Sequence, residues 1–234
     1  MWVLTCQYTD AMQRSSSAAA YRRLRHAIVR VELEPGSAVS EVQLVERFGF
    51  SKAAVRAALA RLRADGLVLA EPRRGHVIAP LTMRDVREIY DLRLLLEPSA
   101  AAAAAGRLTH AELARLRALC EPVPDLDDDA SAERFLQANR AIHVSIAEAG
   151  GNGRAAAIVA QLLDDSERAR LIALRAGAAE HGLRAHAEHL DLLSALGSGD
   201  GPGAERLMTT AIHAFRDELV DALQTATLDA PLAR

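Results

Sequence analysis

The sequence predicts a mainly α protein in two parts, and three observations predict it. Aromatic residues make up only 3% of the 234 residues while alanine and leucine dominate; strands draw on aromatic and β-branched side chains, so this balance favours helix. Apolar residues recur at helical spacing through most of the chain. Between residues 35 and 78, by contrast, a Pro-Gly turn, two short capped helices and a compact hairpin follow one another closely, which marks this stretch off from the long helices after it.

The front part opens with a helix over 19–31, where Leu24, Ala27, Ile28 and Val31 share a face and Arg22, Arg23, Arg25 and Arg30 cover the others. Pro35-Gly36 ends it. Ser40 caps a second helix, with Gln43 three residues on in a capping-box pattern, and Val42, Leu44, Val45 and Phe48 supply its apolar positions. Gly49 allows a sharp turn. Ser51 caps the third helix, 52–65, whose buried stripe is Val55, Leu59 and Leu62, and Gly66 closes it. Residues 67–69 and 76–78 read as the two strands of a hairpin with Arg73-Arg74-Gly75 at its tip.

This order suits a helix–turn–helix, in which the start of the second helix meets base edges in a DNA groove. That start carries Ser51, Lys52 and Arg56, with Lys52 and Arg56 four apart on one face. Arginine grips guanine through two hydrogen bonds and lysine reaches the same acceptors. Arg61, Arg63, Arg73 and Arg74 are placed for phosphate, which adds affinity and salt dependence but little sequence choice. Any one of these charges alone is an ordinary solvated side chain; the cap, turn, basic face and hairpin in sequence carry the argument. Charge agrees. Residues 1–80 hold 12 Lys/Arg against 7 Asp/Glu, and residues 81–234 hold 16 against 24, so a polyanionic partner fits the front part only.

Cys6 and Cys120 are too few and too far apart for a disulfide scaffold or a cysteine-rich metal site. No stretch reaches 18 apolar residues, and the alanine run at 100–105 is flanked by Glu97 and Arg107. The first ten residues lack a basic start and a long apolar run. A cytoplasmic protein with no membrane partner is expected.

In the back part, Thr82 caps a long helix over 83–105 that is apolar on more than one face, with Pro98 placed to kink or divide it. Thr109 caps a helix to 119. The acidic stretch 121–129 reads as a solvent loop; it lacks the glycine and terminal glutamate of a calcium loop. Further helices are expected near 131–149, 153–175, 179–197 and 203–224, separated by glycine-rich turns at 150–153 and 197–203.

Residues 19–80 resemble the winged helix of the GntR family of bacterial transcription regulators. Pro35-Gly36, Gln43-Leu44, the run from Ser51 through Val55-Arg56 to Ala58-Leu59, Gly66-Leu67 and Gly75 carry the resemblance. Lys52 stands where the family has arginine and Ala54 where it has proline; lysine lacks the planar fork and specifies geometry less tightly. Residues 82–222 resemble the FCD effector domain of the FadR subgroup, an antiparallel all-helical bundle, through Arg93 with Glu97, the run 135–143, Asn152, Glu188-His189 and Gly199-Asp200. Residues 1–17 read as a flexible leader and 225–234 as a flexible tail, and the resemblance implies a DNA-binding domain over 18–80 and an effector-binding and dimerisation domain over 82–224.

It further implies a ligand-responsive transcription regulator, not an enzyme. The expected protein is a homodimeric repressor of metabolic genes, with a small organic acid as effector and a double-stranded operator as partner. Many FCD domains hold zinc or nickel with one Asp and three His. Here the Asp position is Asn139, the first two His are His143 and His189, and the third falls on Ala211, with His213 two residues beyond and rotated by about 200°. The metal set is therefore degenerate. Asn139, His143 and His189 are left as candidates to hydrogen-bond an effector, with Arg93 to neutralise its carboxylate or else to pair with Glu97. That degeneracy motivates one alternative, a constitutive DNA-binding dimer whose sensor no longer senses; the other alternative, a helical metalloenzyme, needs a secured metal with an open position, and the degraded ligand set argues against it.

Overall fold

The computed structural model describes residues 16–72, 74–120, 129–175 and 179–228. The chain divides into two compact units that part between Leu81 and Thr82. No helix among the described residues is long and apolar enough to cross a membrane.

In the front unit, α1 (Ser17–Val29) starts from Ser16, whose hydroxyl accepts from the Ala19 amide. It stops two residues short of the expected end because Val31 adopts the left-handed region at φ 59°, a conformation a β-branched residue rarely takes. The two-residue β1 (Ala38–Val39) follows. The periodicity of the sequence does not show it, because two residues carry no alternation. Then come α2 (Glu41–Phe48), α3 (Lys52–Ala64), β2 (Val68–Glu71) and β3 (Gly75–Ile78). Both bonds of the Ser40–Gln43 capping box form, at 3.2 and 2.9 Å. Gly49 supplies the left-handed turn between α2 and α3 at φ 73°, a conformation that costs other residues about 1 kcal/mol. The antiparallel sheet runs β1-β3-β2, with Ala38 opposite Val77 and Leu69 opposite Val77 on the other side. Leu24, Ile28, Leu44, Val55, Leu59, Leu62, Val68 and Ile78 form its core, so the apolar stripe of α3 is buried and its other face is left to solvent.

The back unit is an all-helical bundle. Its helices are α4 (Met83–Ala104), α5 (His110–Cys120), α6 (Asp129–Ala149), α7 (Gly153–Arg175), α8 (Ala179–Ser198) and α9 (Gly201–Leu228). Helix α4 packs against α6, α7 and α9, which explains why it is apolar on several faces. Pro98 neither ends nor divides it: the helix runs unbroken to Ala104, since packing on three sides holds the turn that proline weakens.

The breaks between helices are written in local caps. Thr82 and Asp85 close a capping box, Thr109 and Glu112 form the same reciprocal pair, the Asn152 carbonyl accepts from the Arg154 and Ala155 amides at 3.2 Å, and Asp200 accepts from the Gly203 amide at 2.9 Å. Asn152 and Asp200, two of the residues that carry the family resemblance, thus act as helix caps. Helix α9 begins at Gly201, where Pro202 is harmless in the first turn, and extends four residues past the expected end at 224.

Candidate functional site

In the front unit, Ser51, Lys52 and Arg56 come together on the first turns of α3, all exposed. The Ser51 hydroxyl accepts from the Ala54 amide at 3.2 Å; the proline usual at position 54 has no amide hydrogen, so this bond exists because of the alanine. Ala53, Arg56, Ala57 and Ala60 lie on one exposed face of α3. Small residues there leave the face low, a shape that suits close approach to base edges, and alanine methyls suit contact with thymine. Arg56 is already engaged: Nε and an Nη donate to the Glu41 carboxylate of α2 at 2.9 and 3.0 Å. That pair draws Glu41 below the usual carboxylate range.

The phosphate candidates separate. Arg61 stacks over the Tyr21 ring at 3.9 Å, and Arg63 is exposed at the far end of α3. Arg74 ties the hairpin down, donating to Glu71 at 2.9 Å and to the Gly36 carbonyl at 3.2 Å. Gly75 takes a positive φ of 77° at the start of β3. Arg73 lies outside the described residues.

In the back unit, Arg93, Asn139, His143 and His189 gather around one small cavity, although they come from α4, α6 and α8. All four are buried. Burial of polar groups on this scale is costly unless they are partnered, and most of them are. Arg93 Nε donates to Glu97 at 2.6 Å, so the guanidinium proposed from sequence for an effector carboxylate is held by its own helix. Glu97 also accepts from His143 Nδ1, and His143 Nε2 meets His189 Nε2 at 3.3 Å.

The electrostatics order this chain. Burial alone would raise the Glu97 carboxyl, but the charges and hydrogen bonds of Arg93 and His143 take it down to about 2. Burial pulls His143 below its usual value against the opposing pull of Glu97. Glu97 is therefore ionised and His143 neutral near pH 7, with Nδ1–H donating to the carboxylate. That tautomer leaves the Nε2 lone pair to accept from His189.

The residues do not fit a resident zinc or nickel ion. Two imidazoles face each other, Asn139 offers at most an amide oxygen, Ala211 lines the cavity without a ligand atom, and His213 is exposed on α9. Among the described residues no group of three or more His, Cys, Asp or Glu is placed to hold a metal. Such sites use a closed set of nitrogen, sulfur or carboxylate donors, and here Glu97 is bonded to the other side of the His143 ring.

The sequence did not single out Arg170, on α7. It lines the same cavity and is 3% exposed. Its neighbours Ser166-Glu167-Arg168-Ala169 make it look like part of a solvated charged run. Tyr90 and Phe215 were missed as well: they stack at 6.0 Å, with Arg93 4.9 Å over the first ring and Arg170 5.0 Å over the second. A second, larger cavity of about 420 Å³ shares Asn139 and His189 as walls and is lined further by apolar residues such as Leu119, Phe135 and Ile142 and by the polar Ser131, Arg134, Gln137 and His186.

Comparison with known proteins agrees with both units. Residues 16–78 match the model of the bacterial regulatory proteins of the gntR family, and residues 88–214 match the FCD domain. The uncharacterized HTH-type transcriptional regulator YieP of Escherichia coli is 30% identical over 162 residues, 61% of this chain and 70% of that protein. The HTH-type transcriptional repressor RspR of Escherichia coli is 28% identical over 200 residues, 85% of this chain and 86% of that one. Among solved structures, E. coli McbR/YncC has the same fold, with a TM-score of 0.72 and 22% identity over 88% of this chain and 98% of the other.

Proposed function

The chain belongs to the gntR family of bacterial regulatory proteins and carries an FCD domain, and we propose that this DNA-binding regulator is a homodimeric repressor of metabolic genes that responds to a small organic acid. Its combination of reader and sensor suits the FadR subgroup. One observation carries the reading: the helical unit encloses a cavity lined by Arg93, Asn139, His143, Arg170 and His189, all buried. A bundle that only dimerised would gain more from apolar residues at those places. Enclosed polar groups converging on one space suit a ligand.

Ligand then acts by favouring one of two arrangements of the readers, so the coupling is a shift in population. Repression is supported by the name of RspR, a repressor 28% identical to this chain. Dimerisation is supported by exposed apolar side chains on the bundle, Leu92 and Leu95 on α4 and Ile158 on α7, of which Leu95 is 72% exposed.

The test begins at the reader. Arg56→Ala is expected to abolish specific operator protection in a footprint while the circular dichroism spectrum is unchanged; an unaltered footprint sinks the assignment of Arg56. Loss of operator affinity on adding the acid that regulated genes metabolise would establish the response, and an operator affinity indifferent to every candidate acid would leave a constitutive binder.

A further inference from the structure

Arg170 is a buried arginine of the helical unit that its described surroundings do not fully satisfy. Its guanidinium is 3% exposed, its Nε has no hydrogen-bond partner, and it forms no ion pair with a described carboxylate. The Phe215 ring lies 5.0 Å from it, and such a contact offsets only part of the cost of a buried charge. Burial, together with the Arg93 charge, pushes Arg170 down to about 10 against the opposing pull of Tyr90, Glu167 and Glu97. The Asn139 amide nitrogen, on the same cavity, is also buried and unpartnered. Glu188 lines the cavity too, but it leans out to Arg184 at 3.4 Å and is partly exposed. Among the cluster's side chains that are under a tenth exposed, two guanidiniums, Arg93 and Arg170, stand against one carboxylate, Glu97.

Its shape adds a second constraint. The polar cavity measures about 20 Å³, room for little more than a single small polar group. Asn139 and His189 also line the larger cavity of about 420 Å³, whose wall is mostly apolar, with Leu119, Phe135, Ala138 and Ile142, but also carries Ser131, Arg134, Gln137 and His186. A ligand spanning both would place a charged head beside Arg170 and an apolar body beyond Asn139.

We propose that this unit binds a monocarboxylate with an apolar body, held without metal by Arg170 and the Asn139 amide, while Arg93 is reserved for Glu97. The inference rests on the reading of the helical unit as a sensor and names the class of its effector. Two N–H groups of Arg170 meet the carboxylate oxygens, a geometry guanidinium favours, and the Asn139 amide donates to one of them.

The test is calorimetric titration of the full chain with hexanoate and 3-phenylpropanoate, with their primary amides, and with acetate. At least one of the two longer acids is expected to bind, with its amide and acetate each about 30-fold weaker or worse. Arg170→Met is expected to lose that preference for acid over amide by a similar factor, and to unfold no earlier than the wild type, because it removes a buried charge that has no partner. Arg170→Lys keeps the charge and should retain part of the preference. Equal binding of acid and amide, undiminished acid binding by Arg170→Met, or acetate binding as tightly as the longer acids overturns the proposal, as does failure of both longer acids to bind. Operator affinity is measured separately with the bound acid present. Tight binding without any change in operator affinity leaves this assignment standing and refutes the sensor reading it rests on.

Discussion

Glu97→Gln offers the sharpest check on the buried network. The substitution keeps the shape of the side chain and removes the charge that Arg93 and His143 share. In the wild type the carboxyl lies at about 2 against an ordinary 4.5, a shift worth about 3 kcal/mol at neutral pH. Removing one partner of a buried pair gives a similar figure by a different route, about 3–5 kcal/mol, because the other charge is stranded. Glutamine recovers some of this by hydrogen bonding, so a loss of about 3 kcal/mol is expected at pH 7.

The sign of the pH dependence follows. Glu97 is depressed in the folded state, so its stabilisation is present above 4.5 and is lost as pH falls toward 2. The buried neutral His143 acts in the same sense from higher pH, since the unfolded chain takes up that proton first. Urea unfolding of both proteins at one protein concentration, followed by circular dichroism from pH 7 to pH 3, measures the difference. Hydrogen exchange of peptides from α4 assigns it to the helical unit. The gap between wild type and variant should narrow below pH 4.5. A loss under about 1 kcal/mol at pH 7, the range of exposed pairs, or a gap independent of pH would refute the account of Glu97 as an ionised buried hub.

Two further outcomes are expected. Glu41→Gln frees the Arg56 guanidinium and removes a negative charge from the groove-facing side; anisotropy titrations should show binding to a scrambled duplex strengthened by about 3-fold or more while the ratio of operator to scrambled affinity falls. An unchanged ratio would mean that Glu41 does not aim Arg56. The double substitution Asn139→Asp with Ala211→His supplies the carboxylate and imidazole that the cavity lacks, and the variant should retain about one zinc per chain after desalting, read by elemental analysis. Wild-type protein retaining as much zinc as the variant would contradict the donor-set argument.

The elements of this protein were legible because their signals are local. Ser40 with Gln43, Ser51, Thr82 and Thr109 each act within three residues, so caps and turns can be read from the chain alone. The apolar stripe of α3 and the order of cap, turn and hairpin fixed the reader in the same way, and left Ser51, Lys52 and Arg56 on its open face. Pro98 shows the limit. Its local effect is to weaken a helix, and packing against α6, α7 and α9 overrides it.

The sensor was legible only in part. Asn139 and His143 are one turn apart, but their meeting with His189 spans 46 residues and depends on how α6 packs beside α8. Arg93 and Glu97 show an intrahelical pair in sequence, yet only the bundle buries that pair and hands the second carboxylate oxygen to His143. Arg170 was invisible for the same reason. A charged side chain in a charged run reads as solvated until the tertiary structure closes over it and leaves its Nε without a hydrogen-bond partner. Desolvation and the absence of a partner are properties of the packed bundle, and they turned an ordinary arginine into the residue most in need of a ligand.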